Sequence, residues 1–279
     1  MKKRRIIIIC SIVAVVIILI GTLSALFNLR NVSIEVLKNS EIVESRVLAS
    51  DEDIIKSADF NYGSNMLFTS YEENQAKIEK AFPYLKVEKM VRKFPNKMTI
   101  YVSGRVPEVI VEDKNDSNMW YVLDIDMKVL DVLTSSSQLG DELYRDLPIV
   151  HGAEFETLVE GSFVDDTESA KCLVGVLDGI FGKNQSPSSV MSDITVDLSN
   201  KKLVVVLNDR DNEAGAKILI SGFDYIKEKV YAAYFLYDST FEDDDINYEF
   251  KSDLEFEVGA NFVPGMNERV FVRYQGEEV

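Results

Sequence analysis

From Ile6 to Phe27 the chain runs 22 residues without one charged side chain, and no other feature restricts its architecture as much. Coiled as a helix, that run rises about 33 Å, enough to cross a hydrocarbon core of roughly 30 Å. Four basic residues stand before it in MKKRR and only Arg30 closely after it, an imbalance that keeps the N-terminus in the cytoplasm. The other reading is a cleaved signal peptide. Its apolar region would be too long, and TLSA at 22–25 makes a poor small-x-small cleavage site. Under either reading residues 28–279 lie outside the cytoplasm. The expectation is a cytoplasmic stub over 1–5, a transmembrane helix over 6–27 and a single-pass type II protein of the cell membrane.

The outer part exceeds one average domain in length, and its charge is unevenly shared. Residues 28–103 carry eleven basic and eleven acidic side chains, whereas residues 104–279 carry fifteen basic against thirty-six acidic, a net of −21. That shift argues for a domain boundary near 104–108. The acidic part should repel nucleic acid and anionic headgroups and suits a basic protein partner better. Cys10 lies in the apolar run and Cys172 on an expected helix face, so they do not pair and the outer domains rely on apolar cores.

The first outer unit reads as β-α-α-β-β. Val32, Ile34 and Val36 alternate as a half-buried strand. Ser50 with Asp53 opens a short capped helix, and Ser70 with Glu73 forms a second capping box before a helix carrying Tyr71, Ile78 and Phe82 on one face. The helix ends at Phe82-Pro83. A strand leaves through Leu85 and Val87, Phe94-Pro95-Asn96 turns it, and Met98, Ile100 and Val102 return it to Pro107. Two helices should cover one face of a small sheet.

The second unit is longer and more mixed. Trp120, Val122 and Val129–Leu133 flank the hairpin signal DIDMK, and LPIVHG at 147–152 is a short apolar segment. Ala170, Leu173, Val174, Leu177, Ile180 and Phe181 mark a helix with Asp165 and Glu168 at its start and Gly182 at its end. Ile194–Leu198, Leu203–Leu207 and Ile218–Ile220 read as strands, followed by a helix over Phe223–Tyr237. Two closing strands, Ile246–Phe250 and Leu254–Val258, are expected to end the domain, with 259–279 left as a short tail. The fold class is therefore α+β: a membrane helix, a small domain over 28–107 and a larger mixed domain over 108–258 whose sheet ends in an edge strand.

Little in the chain points to catalysis. His151 is the lone histidine, so zinc hydrolase chemistry lacks its ligands. Cys172 reads as a buried, inert thiol. Ser199 and Lys202 have Ser-x-x-Lys spacing, but they sit in a turn between strands and neither Ser-Asp-Asn nor Lys-Thr-Gly occurs. Asp209, Asp211 and Glu213 resemble a calcium loop whose closing position is held by Ile220, and EDDD at 242–245 reads as a solvated acidic loop. No catalytic residue, cofactor, metal or small-molecule substrate is expected. The terminal strands remain: Ile246, Tyr248 and Phe250, then Leu254, Phe256 and Val258, alternate with polar or acidic neighbours. Such an edge can accept an incoming strand, and acidic residues there also block unwanted pairing. The residues alone leave both readings open.

Three stretches carry a family resemblance: FNLRNVSIEV, DEDIIKSADFNYGSNMLF and IEKAFPYLKVEKMVRKFPNKMTIYVSGRVP. They resemble the FtsQ/DivIB bacterial cell-division proteins, the small unit being similar to their POTRA domain. The family's Leu-Pro-Tyr-Val, basic-Phe/Leu-Pro-Asn and Glu-Arg-x-Pro become Phe82-Pro83-Tyr84-Leu85, Lys93-Phe94-Pro95-Asn96 and Gly104-Arg105-Val106-Pro107. Gly104 replaces a glutamate, so any ion pair that residue makes elsewhere is absent. The likeness is specific through Pro107 and rests on element order beyond. It implies a non-enzymatic scaffold of septal wall synthesis that binds short coiled-coil proteins of the FtsL and DivIC/FtsB type. The family's docking edge, the last strand, would fall on Tyr248, Phe250, Leu254, Phe256 and Val258. An extracytoplasmic chaperone or sensor using the POTRA edge is the alternative, and a wall-modifying enzyme with a hidden carboxylate pair a more distant one.

Overall fold

Ser50 starts the first well-formed helix as its spacing predicts. Its hydroxyl accepts from the Asp53 amide at 3.2 Å, and the Asp53 carboxylate accepts from the Ser50 amide at 3.1 Å. These contacts come from a computed structural model that describes residues 12–15, 21–22, 26–38, 47, 49–66, 70–156, 158–181, 186–208, 216–242, 255–261 and 269–275, with backbone alone over 236–242, 255–261 and 269–275. Among the described residues no helix is long and apolar enough to cross a membrane. The span expected over 6–27 lies mostly outside them, and 12–15, 21–22 and 26 are helical. The chain divides into two units, Met1–Arg105 and Val106–Val279.

In the first unit, β1 (Asn31–Lys38), α1 (Asp51–Ser57), α2 (Glu72–Ala81), β2 (Leu85–Lys93) and β3 (Lys97–Gly104) follow in order. The sheet order is β1-β3-β2, with β1 parallel to β3 and β2 antiparallel to it. Apolar side chains on one face of β2 and β3 pack with the helices: Leu85, Val87, Met98, Ile100 and Val102 are buried together with Ile54 and Ile78. The second capping box does not form. The helix starts one residue later than expected, so Tyr71 takes the cap position without a side-chain bond, and the Ser70 hydroxyl accepts from Glu72 at 3.5 Å instead.

The second unit is built on one nine-stranded sheet of order β12-β11-β10-β9-β8-β7-β4-β5-β6. Its strands are β4 (Val109–Glu112), β5 (Trp120–Leu123), β6 (Val129–Leu133), β7 (Ile149–His151), β8 (Met191–Asp197), β9 (Lys202–Leu207), β10 (Lys217–Ser221), β11 (Glu255–Asn261) and β12 (Arg269–Gln275). Helices α3 (Glu168–Phe181), α4 (Pro187–Val190) and α5 (Ile226–Glu242) complete it. The cap of α3 is Thr167 rather than Asp165: its hydroxyl accepts from the Ala170 amide at 3.2 Å. The expected C-terminal glycine of that helix, Gly182, lies outside the described residues. Helix α5 begins three residues later than Phe223, after Gly222 and Tyr225 take up positive φ of 75° and 57°. One apolar core joins α3 and α5 to the sheet, with Leu173, Leu177, Val205, Ile218 and Val230 all buried.

Two expectations about the C-terminus need correcting. Leu254–Val258 was expected to be the edge strand, and 259–279 a tail. The corresponding strand runs over Glu255–Asn261 and has neighbours on both sides, β10 in parallel and β12 antiparallel. Among the described strands the supposed tail supplies the edge, because Val270, Phe271, Val272 and Tyr274 find their partners in β11. Ile246–Phe250 lies outside the described residues.

Helices α3 and α5 meet at glycines. A Cβ on Gly175 would stand 2.8 Å from the Ile226 Cβ, and one on Gly179 2.8 Å from the Val230 Cβ. Replacing Gly179 with valine should therefore force the helices apart and lower the stability of the second unit by about 2 kcal/mol or more. Gly140, which has open space around its missing side chain, should accept alanine within about 0.5 kcal/mol. Urea unfolding of both variants, followed through the buried Trp120, measures the difference.

Candidate functional site

Of the hairpin residues singled out from the sequence, Pro83 and Tyr84 form the turn between α2 and β2, and Phe94, Pro95 and Asn96 the turn between β2 and β3. Tyr84 is buried and Phe94 is 56 % exposed. The Asn96 carbonyl accepts from the amides of Arg30 and Asn31 at 3.0 and 3.3 Å, which pins the β2–β3 turn to the start of β1. Arg105 follows β3, its amide donating to the Tyr84 carbonyl at 2.8 Å. Pro107 is buried at the start of the second unit.

Arg105 does have a carboxylate partner, though not one preceding it in sequence. Its Nη2 donates to Glu79 Oε2 at 2.9 Å, with both side chains buried. The other oxygen of Glu79 accepts from the Val87 amide at 3.0 Å and from Gln75 Nε2 at 3.0 Å. One carboxylate thus ties α2 to the start of β2 and the end of β3. Sequence reading missed Glu79. The available signal was a glutamate directly after the core residue Ile78, on a helix leading into a strand pair that ends in arginine.

The sheet of the second unit has two edges, and they differ. β6 is bonded on its outer side at its first residue, where Val129 donates to the Ser162 carbonyl at 2.9 Å and accepts from Gly161 at 2.9 Å, while Lys128, just before the strand, bridges Phe163. β12 is the other edge, paired only with β11 among the described strands. Of the expected docking residues, Phe256 and Val258 lie on β11, in register with Tyr274 and Val272; Tyr248, Phe250 and Leu254 lie outside the described residues. The main chain nearest an incoming strand therefore belongs to Arg269–Gln275 and carries two arginines, not the glutamates of β11.

Elsewhere the titratable groups are held in place rather than poised beside a nucleophile. His151 Nδ1 is 2.7 Å from Glu112 and its Nε2 is 3.5 Å from Asp193, so the two carboxylates clamp opposite edges of the ring. Cys172 is buried, and burial together with Glu168 pushes its thiol up to about 11. Ser199 and Lys202 stand at a tight β8–β9 turn, where Asp197 accepts from the Asn200 amide at 3.0 Å. Asp209, Asp211 and Glu213 lie outside the described residues. Glu108 differs from these. It is buried, its Oε2 has no hydrogen-bond partner among the described residues, and burial with the nearby Asp124 carboxylate raises it to about 7.

Comparison with known proteins agrees with the first unit's architecture. Residues 27–105 match the POTRA domain, FtsQ-type. A "Cell division protein FtsQ" from Syntrophotalea carbinolica is 27 % identical over 155 residues, 56 % of this chain and 51 % of that protein. The first unit is thus similar to an FtsQ-type POTRA domain, and the chain resembles the FtsQ/DivIB cell-division proteins. Its match spans about half the length of this relative, and the matched domain ends at the residue where the first unit ends.

Two measurements follow from the buried carboxyls. Arg105→Met should destabilise the POTRA unit by about 3–5 kcal/mol by leaving a buried carboxylate without its countercharge. Glu79→Gln in the same chain should recover much of that loss, because a neutral amide oxygen can still accept from Val87; thermal unfolding of the single and double variants tests it. For Glu108 the folded form holds a proton that the unfolded chain, near 4.5, has released. Its contribution to stability is therefore greatest below pH 4.5, falls as pH rises and is lost above about 7. Glu108→Gln should flatten that slope and stabilise the protein above pH 7 by up to about 3 kcal/mol, as read from urea midpoints across the interval.

Proposed function

We propose that the chain is a non-enzymatic cell-division scaffold, anchored in the membrane by residues 6–27, that docks other division proteins outside the cytoplasm at the edge of its large sheet. The observation that carries this reading is the contrast between the two sheet edges. One is capped at its first residue by Gly161 and Ser162, while Arg269–Gln275 pairs on one side only among the described strands and so offers main-chain groups for strand addition. The likeness to FtsQ-type proteins supports the division role. The partners are short single-span coiled-coil proteins of the FtsL and DivIC/FtsB type, one of which adds a strand to β12. Phe256 and Val258, one strand further in, support that edge from β11. Because Arg269 and Arg273 stand on β12, the added strand is neutral or acidic and not the basic segment that the glutamates alone suggest.

The anchor is supported by its residues. Ile12, Val13, Val15 and Leu26 are all exposed, an arrangement that lipid satisfies and water does not. The protein then concentrates at the division septum, and a fluorescent protein fused to the cytoplasmic end should mark a band there in dividing cells.

Docking at β12 has a specific signature. Main-chain groups along an edge strand point alternately inward and outward, so proline at Phe271, Val272 and Arg273 in turn should give an alternating result. Outward positions should weaken complex formation by more than about tenfold while leaving the fold intact, because proline there removes a donor needed only by the guest. Inward positions should instead disturb β11–β12 pairing. Wild-type affinity for FtsL- and DivIC-type partners in all three variants would sink the assignment.

A further inference from the structure

Phe94 is a large aromatic ring at a hairpin tip, 56 % exposed, and it has one informative neighbour. Its ring meets that of Phe27 edge to face, with centroids 5.3 Å apart and an interplanar angle of 89°. Phe27 is the last residue of the expected membrane span that begins at Ile6. The hairpin tip is thus seated where the chain leaves its expected membrane span. Main-chain bonds fix it there: Asn96 accepts from Arg30 and Asn31, Met66 donates to the Phe27 carbonyl at 2.9 Å, and Leu29 donates to Ser64 at 2.9 Å. The last two bring the 60–66 loop to the same end, with Tyr62 exposed on it.

The charge at this end is as particular as its aromatic content. Residues 26–34, 60–66 and 92–100, which build it, contain no aspartate or glutamate but do contain Arg30, Arg92, Lys93 and Lys97, in a chain of net charge −17. Arg30, Lys93 and Lys97 are exposed. Lys93 also reaches Glu35 at 3.0 Å. Scattered exposed apolar residues need no explanation on a protein surface. A ring packed edge to face on the end of the apolar run, flanked by Arg30, Arg92 and Lys97 and by Lys93 with its partner Glu35, matches the aromatic and basic composition found where membrane proteins meet lipid headgroups.

We propose that the β2–β3 hairpin tip is a second membrane contact, in which Phe94 enters the headgroup layer beside the span while Lys97 and Arg30 meet lipid phosphates. This rests on the reading that residues 6–27 cross the membrane. The contact gives the POTRA unit a set tilt: the Lys97 end of β3 faces the bilayer. The other end, where Lys38 of β1 stands opposite Ser103, is held in water about 23 Å along the strand.

The test uses the full chain reconstituted into vesicles of phosphatidylcholine and phosphatidylglycerol, with Cys10 and Cys172 changed to serine. An environment-sensitive dye is attached through Gly21→Cys, Lys97→Cys or Lys38→Cys, and quenching by shallow and deep spin-labelled lipids is read. The expected result is deep quenching at 21, shallow quenching at 97 several-fold above that at 38, and loss of the signal at 97 when Phe94→Ser is added. Equal, weak quenching at 97 and 38 with deep quenching at 21 overturns the hairpin contact while leaving the span intact. Absence of quenching at all three overturns the span reading and the contact with it. Quenching at 97 that survives Phe94→Ser also overturns the proposal, since nearness to the anchor then suffices without the ring.

Discussion

The carboxylate of Glu79 is the point on which the first unit turns. A buried ion pair is weak as a source of net stability, but removing one partner from it is severe. Here the carboxylate also satisfies the Val87 amide, so helix, strand and chain exit share one electrostatic knot. Its geometry sets the angle at which β2 leaves the helix and the point at which Arg105 closes β3. The hairpin between them inherits both constraints, and so does the position of Phe94 at its far end.

Local chemistry was the legible part of this chain. Ser50 and Asp53 formed the expected box because every group it needs lies within four residues. The alternation in Met98, Ile100 and Val102 marked a buried strand face, and the Pro83 and Pro95 turns came where the prolines stand. Ser70 misled because a capping box depends on the first helical residue to within one position, which spacing alone does not resolve. Thr167 was overlooked for Asp165 for the same reason.

What lay outside local reading was pairing. β4, β7 and β8 run parallel to one another, and the residues that unite them are separated by tens of positions. Arg269–Gln275 carries β-branched and aromatic residues suited to a strand, and Pro264-Gly265 ahead of it is a turn signal, yet the segment follows two strands already expected to close the domain and so reads as a tail. The edge-strand expectation fails at that step, because one further strand, β12, lies outside β11. Glu79 was missed for a related cause, since a buried carboxylate is recognisable only once its arginine, 26 residues away, has been brought beside it.

From β7 onward, the strands of the large sheet are laid side by side in the order in which the ribosome makes them, through β8, β9, β10 and β11 to β12. Sheet growth during synthesis is therefore directional, each new strand finding its template already in place. The strand proposed as template for a visiting chain, β12, comes into being last of all the described strands. A product of interrupted translation ends its sheet one or two strands short, with a differently sequenced border at that side. Under the proposed docking at β12, assembly is in this way reserved for molecules whose synthesis has reached that strand, without any separate device to inspect them.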